Sequence, residues 1–493
     1  MLKHGIQRLH GAVRLVIVAV LSVAFVCQPP LANRAAAKAI SLRLPHRSER
    51  SLRNGLTSLV VRSPQTRRAV ITLIIDASPL YDDPESPGLS KATAELLTSG
   101  TDWKEGQRID QHLLDLGATI RVSATNRSRW VNVTVSAPNE TFVETLETLA
   151  TIVRSPDFNR AAVNNWKRQQ LAELDQAESS PQLVGNAHIR RHLYPNNVLQ
   201  HVSPLRATVN DLNREKLVEF HREHYTPGRT LVGVLTSLRP SYVFNAIDAL
   251  FGTWRTGDKR RSSETSPLNS GRRVLAALGS VSSVSERRKP TIYVVDHKQA
   301  SQTYLVFGAY GPDERHPDHY VWMLLNEIFG AGPASRLSRN LRDQRGLTYQ
   351  AFSMIEGRDG LRHLLAYSPV SATASRQATE QFLSEFRTLQ ETLVSPSELE
   401  MAKRTLLGRI AVDRERSDRL LLDCLVTRAQ HRGDYWNTFP LRIMAVTADD
   451  VRRVARERLS VDHLRVVAVG NGVSLFEQFQ NFELTAVIDN SGR

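Results

Sequence analysis

The stretch Phe142-Val143-Glu144-Thr145-Leu146-Glu147-Thr148-Leu149, running on to Ser155-Pro156, has a second version in the same chain. That version is Phe382-Leu383-Ser384-Glu385-Phe386-Arg387-Thr388-Leu389, running on to Ser395-Pro396, at an offset of 240 residues. Each places large apolar residues at i, i+4 and i+7, one face of an α-helix, and each stops before a proline that cannot continue it. A second pair agrees at an offset of 234: Leu212, Leu217 and Phe220 lead to the strand Thr230–Leu235, and Val446, Val451 and Val454 lead to Leu464–Val469. A third sets Gly117 before Ile120-x-Val122 and Gly346 before Tyr349-x-Ala351, each after a helical stretch. Three matched pairs at nearly constant spacing predict two copies of one α+β unit.

Between the copies, Arg255 to Lys289 is rich in Ser and Arg, with interspersed Gly and Pro267, and reads as an exposed linker. Within a copy the strands alternate: Trp130 to Val135 sets Val131, Val133 and Val135 on one side, the pattern of an antiparallel strand with one buried face. The expected architecture is an antiparallel-rich sheet covered on one face by helices, made twice. The expected boundaries are 1–37 for a signal peptide or N-terminal anchor, 38–254 for the first unit, 255–289 for the linker, 290–475 for the second unit and 476–493 for a tail.

With 493 residues, 41% of them apolar and 23% charged, the chain can bury a large core and has the balance of a globular protein. The net charge of +14 raises the question of a polyanionic partner. The basic residues are scattered, with short clusters at Lys259-Arg260-Arg261 and Arg287-Arg288-Lys289. There is no zinc-finger spacing, no RNA-binding signature and no basic stripe interleaved with aromatics, so nucleic acid is not an expected partner.

The first 48 residues hold no Asp or Glu, and Lys3, Arg8 and Arg14 precede the apolar run Leu15 to Cys27. Small residues follow at Ala32 and Ala35-Ala36-Ala37. This is the layout of a secretory signal, and it predicts an exported, periplasmic protein; an uncleaved anchor is the other reading, and membrane contact is then confined to this segment. The run is short for a transmembrane helix. Of the two cysteines, Cys27 ends the apolar run and Cys424 lies in an apolar helical pattern, where a core thiol is expected.

The stretch Gly88-Leu89-Ser90-Lys91-Ala92-Thr93-Ala94-Glu95-Leu96-Leu97-Thr98-Ser99-Gly100-Thr101 is a helix-sized run framed by Gly-Leu and Gly-Thr. It resembles the helix that carries the inverted zinc motif, His-x-x-Glu-His, of the M16 (insulinase- and pitrilysin-like) metallopeptidases. In that motif two histidines at i and i+4 ligate one zinc ion, and the glutamate between them is the general base. Here the histidine positions read Lys91 and Glu95, and the glutamate position reads Ala94. An ammonium has no lone pair to give a metal, and a methyl group accepts no proton. The resemblance places a third ligand, a glutamate, near Trp166, yet Arg160 to Ala172 holds no acidic residue. Glu173 matches a second, supporting glutamate. The resemblance therefore implies that this chain holds no cofactor and does not cut peptides by itself.

Other histidines form no convincing ligand set. His188 and His192 are i, i+4 on a helical stretch, but Arg190 and Arg191 sit between them and no third ligand is evident. His221 and His224 are three apart in Phe220-His221-Arg222-Glu223-His224-Tyr225, similar to a family helix, and read as structural. His316 and His319 flank Pro317-Asp318 and read as solvent-exposed or capping. The run Ile328-Phe329-Gly330-Ala331-Gly332-Pro333-Ala334 follows a helix without a phosphate-loop lysine and reads as a flexible helix junction.

The second copy keeps more. Pro333 to Tyr349 is similar to the family's segment SRL…LRExxGLxY, in which an Arg and a Tyr seven apart help hold substrate backbone opposite the zinc. Carried over, these are Arg342 and Tyr349 as substrate-binding residues, since a guanidinium fork and a phenol can donate to a peptide carbonyl. The bland alternative is a salt-bridged surface arginine and a buried strand tyrosine.

The resemblance runs from about Leu52 to Gly472 and is nearest to the bacterial non-zinc-binding M16 homologues. It implies a pseudo-peptidase subunit that pairs with a zinc-bearing M16 subunit in a heterodimer and binds unstructured peptide; the zinc is expected in the partner. A non-proteolytic scaffold and an enzyme with an unusual metal site are the rival readings.

Overall fold

The computed structural model describes residues 41–99, 108–125, 128–195, 200–201, 203–255, 291–358, 361–460 and 464–489. The expected signal segment, most of the expected linker, both short basic clusters and the Gly100-Thr101 frame lie outside these residues.

The first half begins with strands β1 (Arg47–Ser51), β2 (Thr57–Arg62) and β3 (Arg68–Ile75). Helices α1 (Leu89–Ser99) and α2 (Ile109–Asp115) follow, then β4 (Thr119–Ser123) and β5 (Val131–Pro138). Helices α3 (Phe142–Arg154), α4 (Arg160–Glu178), α5 (Pro181–Leu193), α6 (Arg206–Asp211) and α7 (Arg214–His224) lead to β6 (Thr230–Thr236) and α8 (Pro240–Phe251). The second half repeats this order with β7 (Thr291–Asp296), β8 (Gln302–Gly311) and α9 (His319–Asn326). It continues with β9 (Phe352–Arg358), β10 (Leu361–Ser371), α10 (Ser375–Glu391), α11 (Pro396–Asp413) and α12 (Ser417–Ala429). Helices α13 (Tyr435–Ala445) and α14 (Ala448–Arg458), strand β11 (Arg465–Gly470), α15 (Gly472–Phe479) and β12 (Glu483–Asp489) complete it.

The two six-stranded sheets run β1-β2-β6-β3-β5-β4 and β12-β7-β11-β8-β10-β9. The five strands β2, β6, β3, β5 and β4 correspond in order and direction to β7, β11, β8, β10 and β9; the first pair is parallel and the rest are antiparallel. The repeat read from the sequence is therefore a repeat of topology. Even the turns match, since Gly117 and Gly346 take left-handed φ values of +64° and +61°. The sheets differ in the strand added outside the parallel pair, antiparallel β1 in one and parallel β12 in the other. The expected tail 476–493 is thus corrected. Its residues to Asp489 close α15 and form an edge strand, because β7 offers an open edge to the β-branched run Leu484-Thr485-Ala486-Val487-Ile488.

Local sequence explains the elements. Strand β5 alternates buried and half-buried positions along its whole length, as its valines require. Helix α4 starts where Asn159 accepts a hydrogen bond from the Ala162 amide (2.9 Å), and α5 and α11 start at Ser-Pro pairs whose serines cap them. Each sheet carries its own half's helices on one face. In the first half Val131, Val133 and Val135 meet Phe142, Leu146 and Leu149 of α3. In the second, Phe307 of β8 stacks on Phe382 of α10 with ring centroids 4.3 Å apart.

The opposite faces are covered by exchange. Helix α5, from the first half, lays Val184, Ile189 and Leu193 on Val306, Leu365, Val467 and Val469 of the second sheet. Helix α12, from the second half, lays Leu421, Cys424 and Leu425 on Leu59, Val61, Val70, Ile74 and Leu235 of the first. Two glycines permit the close approach. A Cβ on Gly233 in β6 would lie 2.9 Å from Leu421 Cδ1 and from Leu425 Cδ1, and one on Gly308 in β8 would lie 2.9 Å from Ile189 Cγ1. Full burial of each such aliphatic side chain contributes about 1.5–3 kcal/mol. The exchange makes Arg43 onward one compact unit. Cys424 is a core thiol as expected, and burial pushes its pKa up to about 11.

Candidate functional site

Helix α1 begins over a buried carboxylate. Asp82 accepts from the Gly88 amide (2.7 Å), the Ser90 amide (2.8 Å) and the Ser90 hydroxyl (3.2 Å), which satisfies the free amides of the first turn and complements the helix dipole. Helix α1 is buried on most of its sides, with Ala92, Ala94, Leu96 and Leu97 in the core. Ala94, at the position where the motif has its general base, is buried there with no proton-accepting group.

Lys91 and Glu95 lie one turn apart toward α4, which presents Trp166, Gln170 and Glu173. The Lys91 ammonium donates to Gln170 Oε1 (2.5 Å) and to Glu95 Oε2 (3.0 Å) and lies 3.9 Å from Glu173 Oε2. It also lies 5.6 Å from the centroid of the Trp166 ring. The Trp166 indole donates to Glu95 Oε2 (2.8 Å), and Gln170 Nε2 donates to Glu173 Oε2 (3.1 Å). A side-chain cation thus sits among two carboxylates, an amide oxygen and an indole face, and each of these groups is used.

These residues do not fit zinc. The ion needs lone-pair donors at about 2.0–2.3 Å, and the central group here is itself a cation with only protons to offer. Glu95 Oε2 and Glu173 Oε2 already accept other hydrogen bonds. Among the described residues no three or more His, Cys, Asp or Glu side chains are grouped so as to hold one metal ion. The sequence had pointed to the Trp166 region for a third ligand. The structure sets Trp166 against Glu95 and brings Gln170, one turn later, onto Lys91. Gln170 was missed; its spacing of four from Trp166 and three from Glu173 is the signal that could have found it.

Arg342 lies in a π-helical turn, Ser338–Gln344, and its Nε donates to Asp343 Oδ1 at 2.8 Å. That contact holds the guanidinium above its ordinary pKa and the Asp343 carboxyl below the usual range. Tyr349 lies in the bend before β9 and is 96% exposed, so it is not a buried strand aromatic. Among the described residues the Arg342 and Tyr349 side chains make no hydrogen bond to each other.

The histidines are packed into the fold. His188 and His192 are pushed down to about 4, chiefly by burial, and the His192 ring stacks on Tyr293 at 3.5 Å. His221 Nε2 lies 2.8 Å from the Val153 carbonyl oxygen, and His224 packs between Tyr81 and Phe220. His316 Nδ1 accepts from the Asp318 amide (3.1 Å), a capping role. His319 corrects the expectation of a solvent-exposed or capping residue: it is buried, 2.9 Å from the Tyr435 hydroxyl, because α13 folds over the start of α9. The glycine-containing run forms a π-helical turn, Glu327–Ala331, with Ile328, Phe329 and Gly330 in the core.

Two family models match the chain: insulinase (peptidase family M16) over residues 58–203 and peptidase M16 inactive domain over 211–406. The chain belongs to the M16 peptidase family. Together the two matches run from β2 to α11, and the second begins at Asp211, so it takes in α7, β6 and α8 of the first copy as well as the start of the second. This M16 chain is 20% identical, over 73% of its length and 83% of the relative's, to an uncharacterized zinc protease, YmxG, of Bacillus subtilis. It is 22% identical, over 90% of its length and 94% of the relative's, to a probable mitochondrial-processing peptidase subunit beta of Schizosaccharomyces pombe. Its fold is similar to that of a peptidase M16 inactive domain from Pseudomonas fluorescens, with a TM-score of 0.73, 20% identity and coverage of 86% of this chain and 98% of the other. A protease from Helicobacter pylori gives a TM-score of 0.75 at 15% identity, covering 87% of this chain and all of the other.

Proposed function

We propose that this M16 protein is an exported, non-hydrolysing subunit that pairs with a zinc-bearing M16 subunit, with which it binds and processes unstructured peptides. The observation that carries the reading is the Lys91 ammonium held by Glu95 and Gln170 between α1 and α4. A cation there, with Ala94 at the position of the base, removes both metal binding and water activation from this chain while leaving the shell intact. Arg342 and Tyr349, both exposed in the segment that leads into β9, supply donors that a peptide backbone held against a partner's zinc can use. The chamber shared with the partner would add strand-edge hydrogen bonds to an extended chain.

The test is co-expression with an intact zinc-bearing M16 subunit. The expected result is a stable complex that cleaves an unstructured peptide faster than the zinc subunit alone, with Arg342→Ala and Tyr349→Phe each slowing it. Cleavage by the isolated chain together with one bound zinc per chain would overturn the reading. The second reading, a non-proteolytic scaffold on the same shell, is favoured by the ion pair that occupies Arg342 Nε. It gains if the complex forms and both substitutions leave cleavage unchanged.

A further inference from the structure

The face of the first sheet that receives α12 is apolar on one side and polar on the other. Leu59, Val61, Val70, Ile74 and Leu235 lie under α12. Beyond them, β5 and β4 turn Thr134, Ser136, Thr119 and Arg121 to the same face, through the pairings Thr119↔Ser136 and Arg121↔Thr134. The α12 helix does not reach over this part. A groove of about 540 Å³ is left between the strands and the start of α12.

Four guanidiniums line that groove, those of Arg67, Arg68, Arg121 and Arg416, against one carboxylate, Asp418. Arg68 is committed to the strands: it donates to the Ser136 hydroxyl (3.0 Å), the Ser136 carbonyl (2.7 Å) and the Gly117 carbonyl (3.0 Å). Arg416 is paired with Asp418 at 2.7 Å. The Arg67 and Arg121 side chains are exposed and have no hydrogen-bond or ion-pair partner among the described residues. The groove thus concentrates positive charge with two donor forks unused, over a floor of threonine and serine hydroxyls. Positive charge crowded on one wall destabilises the empty site by self-repulsion and is relieved by an anionic ligand.

The ligand's form follows from the strand that bears Arg121. β4 is the last strand of its sheet and pairs only with β5 among the described residues. Its outer edge offers main-chain donors and acceptors to another extended chain. A polyphosphate offers acceptors to the amides of that edge and no donors to its carbonyls; a peptide offers both.

We infer that this groove selects acidic segments of an extended peptide, with Arg121 and Arg67 taking Asp or Glu side chains and Arg68 and Arg416 fixing the wall behind them. This rests on the peptide-binding reading above and adds the charge of the preferred peptide, which neither the metal-site remnant nor Arg342 and Tyr349 determines. Arg67 and Arg121 are specificity-determining residues and touch no reacting atom.

The experiment uses the purified chain and three fluorescent unstructured peptides of equal length that carry Glu, Gln or Lys at the same alternating positions. Anisotropy at low salt is expected to show the Glu peptide bound about tenfold more tightly than the Gln peptide, with the Lys peptide weakest, and the preference should shrink as salt rises to physiological strength. The R67A/R121A variant should erase the difference between Glu and Gln peptides while keeping its far-ultraviolet spectrum and melting temperature. R121E should reverse the order toward the Lys peptide, an outcome that unfolding cannot mimic. Equal binding of all three peptides overturns this inference and leaves the peptide-binding reading standing. Failure of the chain to bind any of them overturns the inference, while the peptide-binding reading is judged by cleavage in the co-expressed pair. A single-stranded DNA oligomer that displaces the Glu peptide at equal concentration, with the same sensitivity to R121E, shows a general polyanion site and also overturns the inference.

Discussion

Arg190 on α5 and Glu356 on β9 form an ion pair across the two halves, with side chains only 6% and 4% exposed. Around it His363 approaches Glu356 at 3.8 Å and the Tyr194 hydroxyl meets His363 Nδ1 at 2.6 Å. This buried polar cluster bolts the exchanged helix α5 to the second sheet.

Removal of one partner leaves the other charge in the interior. Glu356→Ala is expected to destabilise the fold by about 3–5 kcal/mol in urea denaturation. The double change Arg190→Met with Glu356→Leu should recover most of that loss, since a well-packed apolar pair leaves no charge unpaired. A double variant no more stable than Glu356→Ala would show that the pair does not carry the joint.

The Lys91 geometry predicts how metal binding can be installed. In the triple variant K91H/E95H/Q170E three lone-pair donors would converge where the ammonium now meets Glu95 and Gln170. Elemental analysis after dialysis should find about one zinc per chain in that variant and far less in the wild type, with affinity falling at acid pH as the histidines protonate. The triple variant should remain without hydrolytic activity until Ala94→Glu supplies a base.

Burial lowers several histidines together: His188, His192, His221 and His224 to about 4, and His319 to about 3. The native state keeps them neutral, whereas the unfolded chain protonates them near pH 6.5. Stability from this source is full above about pH 6.5, falls as the pH drops through 6 and 5, and stops falling below the folded values. Each such histidine contributes a slope of up to about 1.4 kcal/mol per pH unit in that window. Denaturant midpoints measured from pH 7.5 to 4.5 should therefore fall steeply, and His319→Gln, which keeps a neutral hydrogen-bonding side chain, should flatten the curve.

Gly233 sets how closely α12 approaches the first sheet. Gly233→Val is expected to cost about 1–3 kcal/mol through overpacking against Leu421 and Leu425. Shortening Leu425 to Val in the same chain should restore part of it, because the two sites share one contact. A double variant whose losses simply add would place the strain elsewhere.

Much of the fold could be read from the chain because periodicity reports which face of an element is apolar. The stripes at Phe142 and Phe382, the alternation through Val135 and the paired glycines Gly117 and Gly346 fixed two α+β copies. The exchange of α5 and α12 was not readable. An apolar stripe such as Val184, Ile189 and Leu193 says that a helix must be covered, and nothing in it says by which sheet. At the site, the loss of the zinc motif was plain from Lys91, Ala94 and Glu95. What replaced it depends on Gln170 and Trp166, brought from 71 to 79 residues away by the packing of α4 on α1. Burial of His319 likewise depends on a distant helix, α13, and a loop sequence carries no sign of that.

The exchanged helices also set an order on synthesis. The apolar face built by β2, β3 and β6 is complete once Thr236 has left the ribosome, while α12, which covers it, begins only at Ser417. At about 5–20 residues per second, that face waits roughly ten to thirty-five seconds for its cover, with Leu59, Val61, Val70, Ile74 and Leu235 in the open. Helix α5 waits too, for a sheet that is not finished until β11 emerges. A nascent chain of this design depends on chaperone cover in that interval, and translation pauses between the two repeats lengthen its exposure to aggregation.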